Sequence, residues 1–419
     1  MPQRIKNITH LLQEFSLPLI AGVVVSLIYA NVDLHQYEAI IHYQFGAATL
    51  LGHKLTVHYL INDIFMVLFF GIAAKEITES VLPGGDLNPP SRAVNPLLGT
   101  LGGVFGPVGV YLLLVHLVYS GHADMGIIRH GWGVPTATDI ALAWLVARLI
   151  FGARHAAVSF LLLLAVADDA IGLGIIAVVY PKSSPEILYL LYFTIPGMIL
   201  AYALRKRGVR AWLPYVAFAG VLSWVGFSMA HLHPALALVP IVPFMPGPSR
   251  DTGLYVGHDE VDEEHAAQAA GQSVQDHHDH STLHEFEHNL KLPVDLGLFF
   301  FGFANAGVPF TSINSVTWIV LASLIFGKMV GITAFSWFGT KIGFPLPEGM
   351  SIRHLVVAGI VAGLGLTVAL FVAGEAFKTP EAAAFLGPAK MGAVFSAGAA
   401  LLAFVVARAW GIRPESDDS

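Results

Sequence analysis

Cysteine is absent from this chain of 419 residues, and charged side chains make up only 12% of it against 55% hydrophobic residues. Without a thiol there is no disulfide framework, no thiolate metal site and no cysteine chemistry, although the absence assigns no redox compartment. Soluble domains carry about 25% charged residues. The shortage of charge, with a mean hydropathy of +0.67, therefore marks a polytopic membrane protein. No cleavable leader is evident: Met1 to Ser16 is polar, and the apolar run from Leu17 continues through Val32 without a small-residue cleavage pattern. That run is expected to stay as a helix. The net charge of −7 comes largely from one acidic loop, and nothing in the sequence calls for a nucleic-acid partner or a cofactor.

Apolar windows of about 20 residues suffice to cross a bilayer. They predict an all-α protein of twelve transmembrane helices at 17–33, 59–80, 94–119, 133–147, 156–180, 186–204, 211–229, 233–246, 293–312, 316–338, 352–374 and 389–408. Residues 1–16 form a cytoplasmic N-terminal segment, 17–246 the first eight helices, 247–292 a cytoplasmic loop, 293–408 the last four helices and 409–419 a cytoplasmic tail. With both termini inside, sixteen Lys and Arg residues fall on the cytoplasmic side and five outside (Lys54, Arg129, Lys182, Lys378, Lys390). That bias sets the orientation. The segment from Asp33 to His58 is long enough for a periplasmic hairpin.

Lys328 is left over, mid-span in the tenth helix, and Asp139, Asp168 and Asp169 lie in otherwise apolar runs. Each Asp at the centre of a membrane helix costs about 2.5–3.5 kcal/mol, so such residues are read as an ion site. Asp168 and Asp169 are consecutive, and neighbours on a helix point about 100° apart. One can coordinate a cation while the other pairs with a fixed charge. Two spans also conflict with helix formation. The fourth places Pro135, Thr136 and Thr138 directly before Asp139; the eleventh clusters Gly359, Gly363 and Gly365 ahead of Thr367. Unwound backbone at membrane depth is tolerated only inside protein or along a cavity, and paired interruptions in two groups of three helices, 94–180 and 316–408, indicate an inverted-repeat secondary transporter.

The strings GVPTATDIALA, LAVADDAIG, FANAGV, GKMVGI and AGLGLTVALF occur in the order and at roughly the spacings of the NhaA-type sodium/proton antiporter family, which the chain resembles from about Asn62 to Ala407. The resemblance implies twelve helices with inverted-topology repeats and discontinuous, crossed fourth and eleventh helices. It implies a bacterial inner-membrane protein that exchanges cytoplasmic sodium or lithium for external protons, electrogenically at two protons per sodium, and that dimerises through the hairpin. Asp168 and Asp169 match the essential acidic pair, with Asp169 the primary ion-binding acid and Asp168 the partner of Lys328. Asp139 and Thr138 match the broken fourth helix, and His233 a pH-related histidine. Sodium would take oxygen ligands from Asp169, Asp168 and Thr138, with Thr367 offering a further hydroxyl. Asp139 and Lys328 would compensate the like-charged ends of the half-helix dipoles.

The chain departs from the family where FFGIAAKEITES places Ala73 at a usually acidic position, with Lys75, Glu76 and Glu79 as electrostatic substitutes. The 247–292 loop is long, acidic and rich in histidine, and reads as disordered or partly helical. Within it His284-Glu285-Phe286-Glu287-His288 fits the HExxH pattern of zinc proteases, an enzyme alternative that lacks an evident third ligand. Glu287 and His288 join His233, Lys75 and Glu76 as candidate pH-modulating groups. An intramembrane aspartyl protease would need YD and GxGD strings, which are missing, and a channel fits the counter-charged lysine less well. An antiporter of the same fold for another monovalent cation stays open.

Overall fold

The computed structural model describes residues 17–82, 90–247 and 281–414, and within them the chain is predominantly helical. Helix α1 (Leu17–Val32) leads into α2 (Leu34–Ile41), capped by the Asp33 carboxylate on the Gln36 N–H. The antiparallel hairpin β1 (Gln44–Leu50) and β2 (His53–Thr56) follows, as expected of the Asp33 to His58 segment. Next come α3 (Val57–Val81), α4 (Ala93–Tyr119), a bent pair α5 (Met125–Thr136) and α6 (Ile140–Phe151), and α7 (Ala156–Val179). Helices α8 (Ile195–Lys206) and α9 (Val221–Met229) are each preceded by a π turn. The second half contains α10 (Thr282–Ala306), α11 (Ser315–Lys341), a second bent pair α12 (Ile352–Val361) and α13 (Leu366–Ala376), and α14 (Ala383–Ala409).

Among the described residues five helices are long and apolar enough to cross a membrane, and each bent pair counted as one span makes seven. This is a multi-pass membrane protein. Helices α4 and α11 pack backbone to backbone, with Gly102 and Gly106 on one facing Gly327 and Gly331 on the other. A Cβ on Gly331 would run into the Gly102 carbonyl. Without water to drive association in lipid, such small-residue faces give close packing its contact area.

Three boundaries differ from the sequence reading. The segment 233–246 is no α-helix but a succession of tight 3-10 turns, including Pro234–Leu236 and Val242–Phe244. Pro234, Pro240, Pro243 and Pro246 recur through it, and each removes a helix donor. The fourth span is longer than 133–147, because its first half already begins at Met125. Helix α10 starts at Thr282, inside the segment assigned to the acidic loop, with Ser281 accepting the His284 N–H at 3.1 Å. The reason is an apolar stripe at helical spacing: Leu283, Phe286, Leu290 and Val294 are all buried. Residues 248–280 of that loop, and the segments 1–16 and 415–419, lie outside the described residues.

Candidate functional site

The two bent pairs meet at their breaks. Helix α5 tightens into a 3-10 turn over Gly131–Thr136, where Pro135 sits and Thr136 Oγ1 donates to the Gly133 carbonyl at 2.7 Å. The chain then runs extended through Ala137 and re-enters α6 at Asp139, with a bend of 52°. Across from it α12 ends at Val361, and α13 restarts at Leu366 with a bend of 53°. The backbones are stitched together by the Asp139 N–H donating to the Leu364 carbonyl at 2.6 Å. Glycine is required for this approach: a Cβ on Gly365 would lie 2.9 Å from the Ala137 carbonyl oxygen, and one on Gly363 2.9 Å from that of Leu324.

Asp139 caps both restarted helices. Its Oδ1 accepts the Leu142 N–H of α6 at 3.2 Å, and its Oδ2 accepts the N–H and the hydroxyl of Thr367 on α13 at 3.2 and 2.7 Å. Two positive helix ends thus face one buried carboxylate, the compensation expected from dipole arithmetic. Thr138 serves the C-terminal end of α12. Its hydroxyl lies 3.0 Å from the carbonyl of Ala362 at the C-terminus of α12 and 2.7 Å from Asp168 Oδ2. Lys328, fully buried, donates to Asp168 Oδ2 at 2.5 Å and to Thr138 Oγ1 at 2.8 Å. Its ammonium therefore reaches the α12 terminus through Thr138 and is fixed chiefly by Asp168. Immediately before Lys328, α11 carries a π turn over Ser323–Gly327, a local rewinding of the kind that re-aims a functional side chain.

Asp168 and Asp169 have separate surroundings. Asp168 is held by Lys328 and Thr138, whereas Asp169 lines a cavity of about 120 Å³ together with Thr138, Asp139 and Thr367. Among the described residues no donor reaches Asp169 Oδ1 or Asp168 Oδ1. The cavity continues toward Ala73, Glu76, Glu287, Lys291 and Asp295 at one end of α3 and α10. Beside it Lys75 of α3 is buried and bonded to Glu79 at 2.6 Å and to Glu287 of α10 at 2.5 Å. The expected substitutes for the missing acid at Ala73 are therefore gathered at this end.

The opposite end is closed. Along α13, Thr367, Phe371 and Glu375 recur one turn apart, and the Phe371 ring packs at 5.1 Å from Phe70 and 4.7 Å from His233. His233 Nδ1 accepts the Ala235 N–H at 3.2 Å, which leaves Nε2 as the proton-bearing nitrogen, 3.1 Å from Glu375 Oε1. Lys378 binds Glu375 and the Pro181 carbonyl at 3.4 and 2.6 Å, and Lys182 next in the chain is bonded to Asp63 in the π turn of α3. Asn62 and Asn305 exchange amide hydrogen bonds of 2.9 and 3.3 Å, a packing link between α3 and α10.

The structure thus brings together Asp139, Thr138, Asp168, Asp169, Lys328 and Thr367 around the breaks formed by Pro135, Thr136, Gly363 and Gly365. Lys75, Glu76 and Glu287 form a second group at the cavity mouth, and His233 belongs to the closed end. Glu375 was not singled out from sequence, because it falls at a helix end within three residues of Lys378, where a charge is unremarkable in a membrane protein. The zinc-protease alternative at His284 to His288 finds no support among the described residues. Glu287 is engaged by Lys75, the His284 and His288 rings stack on one helix face at 6.3 Å, and among the described residues no group of three His, Cys, Asp or Glu side chains can hold a metal ion.

Residues 7–408 match the family model described as Na+/H+ antiporter 1. The chain is 53% identical over 405 residues to the Na(+)/H(+) antiporter NhaA of Geobacter sulfurreducens, covering 96% of this chain and 98% of that one. It is 50% identical over 414 residues to the protein of the same name from Desulfitobacterium hafniense, covering 98% of each. Among solved structures, the sodium proton antiporter MjNhaP1 from Methanocaldococcus jannaschii aligns at 13% identity with a TM-score of 0.49, over 98% of this chain and 97% of that one. Its relatives are transporters rather than enzymes, and the chain belongs to the Na+/H+ antiporter 1 family.

Proposed function

We propose that the protein is a secondary active transporter that exchanges cytoplasmic sodium, or lithium, for external protons by competition at Asp169. The observation that carries this reading is the division of labour between the paired acids: Lys328 and Thr138 engage Asp168 Oδ2, while Asp169 lines the cavity. A carboxylate in that position takes either a proton or a hard cation. The Thr138 and Thr367 hydroxyls and the second Asp169 oxygen supply further oxygen ligands. Lys328 and Asp139 hold the broken helices open at the site by neutralising their ends. A second proton is carried when Asp168 is protonated and its bond to Lys328 is released, giving two protons per sodium and an electrogenic cycle.

In this reading the polypeptide crosses a bacterial inner membrane twelve times, the 3-10 segment 233–246 serving as the eighth crossing, with both termini cytoplasmic. The groups 94–180 and 316–408 are inverted repeats, each contributing one bent pair. The Glu76 and Glu287 end of the cavity faces the cytoplasm, and the His233 and Glu375 end faces outward. Two copies pair through the β1–β2 hairpin. Everted vesicles or proteoliposomes carrying a pH-sensitive dye test the exchange: addition of sodium to a preformed proton gradient should discharge it, and potassium should not. Dissipation without added cation would indicate a channel. A gradient that sodium leaves untouched and another monovalent cation discharges would transfer the same chemistry to that ion.

A further inference from the structure

The ion site leaves unused a recess of about 420 Å³ where α6, α7, α12 and α14 end together, lined by His155, Ser351, Arg353, His354, Trp410 and Arg413. Helix α7 starts beside His155 and finishes near Lys182, so the recess lies at the opposite end from the Asp63–Lys182 pair and shares its end with Glu76. Arg353 comes from the first turn of α12, Arg413 follows α14, and His155 caps α7 by accepting the Ala157 N–H at 3.0 Å. The His155 side chain is buried, and the His354 ring stands edge-on to it at 4.8 Å. Among the described residues no aspartate or glutamate lines the recess. A bias of cations toward one membrane face would be met by scattered arginines. It does not require two guanidinium groups from separate helices and two imidazoles to converge on one solvent-open hollow.

We propose that this recess binds the phosphate group of an anionic ligand, with a phospholipid headgroup as its source. The guanidinium fork matches phosphate oxygens in pairs, and the volume falls within the range of small-ligand sites. Trp410, 40% exposed at the rim and placed just after a membrane-crossing helix, sits where indole rings meet headgroups. Occupancy bears on the ion site through two elements. Helix α12 runs from Arg353 to Ala362, whose carbonyl meets Thr138, and α7 runs from His155 to Asp168 and Asp169.

The test follows the thermal unfolding midpoint of the full-length protein in neutral detergent during titration with phosphatidylglycerol, phosphatidylcholine or inorganic phosphate. Phosphatidylglycerol should raise the midpoint above that given by matched phosphatidylcholine. The increment should be lost in Arg353→Gln/Arg413→Gln and reduced, but not lost, in Arg353→Lys/Arg413→Lys, which keeps the charge without the fork. An equal rise with inorganic phosphate, lost in the same glutamine pair, keeps the site and makes soluble phosphate the source. A full increment in the glutamine pair, or none in the unmodified protein with either phosphate source, overturns the proposal. Should the glutamine pair fail to fold, each single Arg→Gln variant must lower the increment. Because the readout involves no ion exchange, its outcome is separate from that of the transport assignment.

Discussion

Asp168 and Asp169 are adjacent in the chain and have different surroundings because a helix turns them apart and only Asp168 meets a cation from the protein. Asp169→Asn should abolish sodium-dependent proton exchange and sodium binding by calorimetry, while the protein folds normally; unmodified exchange rates in that variant would refute its role. Lys328→Ala leaves the Asp168 carboxylate buried without its counter-charge, so it should lower unfolding stability by about 3–5 kcal/mol. Replacing both partners, in Asp168→Asn/Lys328→Met, removes the uncompensated charge, and the double variant should be more stable than Lys328→Ala alone in the same denaturation assay. These groups were legible in the sequence because a charge inside an apolar run contradicts its surroundings. The pairings at the helix ends were not: Lys182 with Asp63, and Glu375 with His233, join residues 119 and 142 positions apart in stretches where charge is ordinary.

At the scale of elements, Asp139 caps α6 and α13 together. Asp139→Ala should cost about 0.5–2 kcal/mol for each cap removed. Asp139→Asn keeps one accepting oxygen and turns an amide NH2 toward the donors of the other helix, so it should retain one of the two caps and fall between the unmodified protein and Asp139→Ala in thermal unfolding, while impairing exchange. The glycine face between α4 and α11 gives a second expectation. Gly331→Ala drives a methyl group into the Gly102 carbonyl, and overpacking of this kind costs about 1–3 kcal/mol. Both broken helices were readable from Pro135 and the Gly359–Gly365 cluster, which disrupt an apolar pattern. The 3-10 character of 233–246 was missed because hydropathy is blind to backbone donors, although four prolines were in view. The start of α10 was missed because its buried stripe of Leu283, Phe286, Leu290 and Val294 is diluted by acidic residues and histidines on the other faces.

For the whole molecule, the cavity reaches Asp169 from the Glu76 end, while Phe371 with Phe70 and His233 closes the other, reinforced by Lys182 on Asp63 and by Lys378. Sodium and protons should therefore compete from the Glu76 end: the sodium concentration for half-maximal exchange should rise as the pH on that side falls, with the maximal rate recovered at saturating sodium. A loss of maximal rate at unchanged apparent affinity would contradict a shared site. Asp63→Asn/Lys182→Gln loosens the closed end and should increase labelling by a small polar reagent of a single cysteine placed at Glu375. Membership of a multi-pass class was legible from composition alone. Which end is shut was not, since it depends on aromatic and ionic contacts between distant segments.

The bond from the Asp139 amide to the Leu364 carbonyl, together with the shared cap on Thr367, bears on how ions change sides. Two interrupted helices tied at their crossing cannot flex against each other without giving up several buried polar contacts at once. In the proposed exchange cycle they should travel as one rigid cross, and the rearrangement that would uncover Asp169 to the far solution is expected where this cross meets α3 and α10. Probes spanning positions 138 and 366 should keep a constant separation through the transport cycle, while probes spanning 72 and 368 should not.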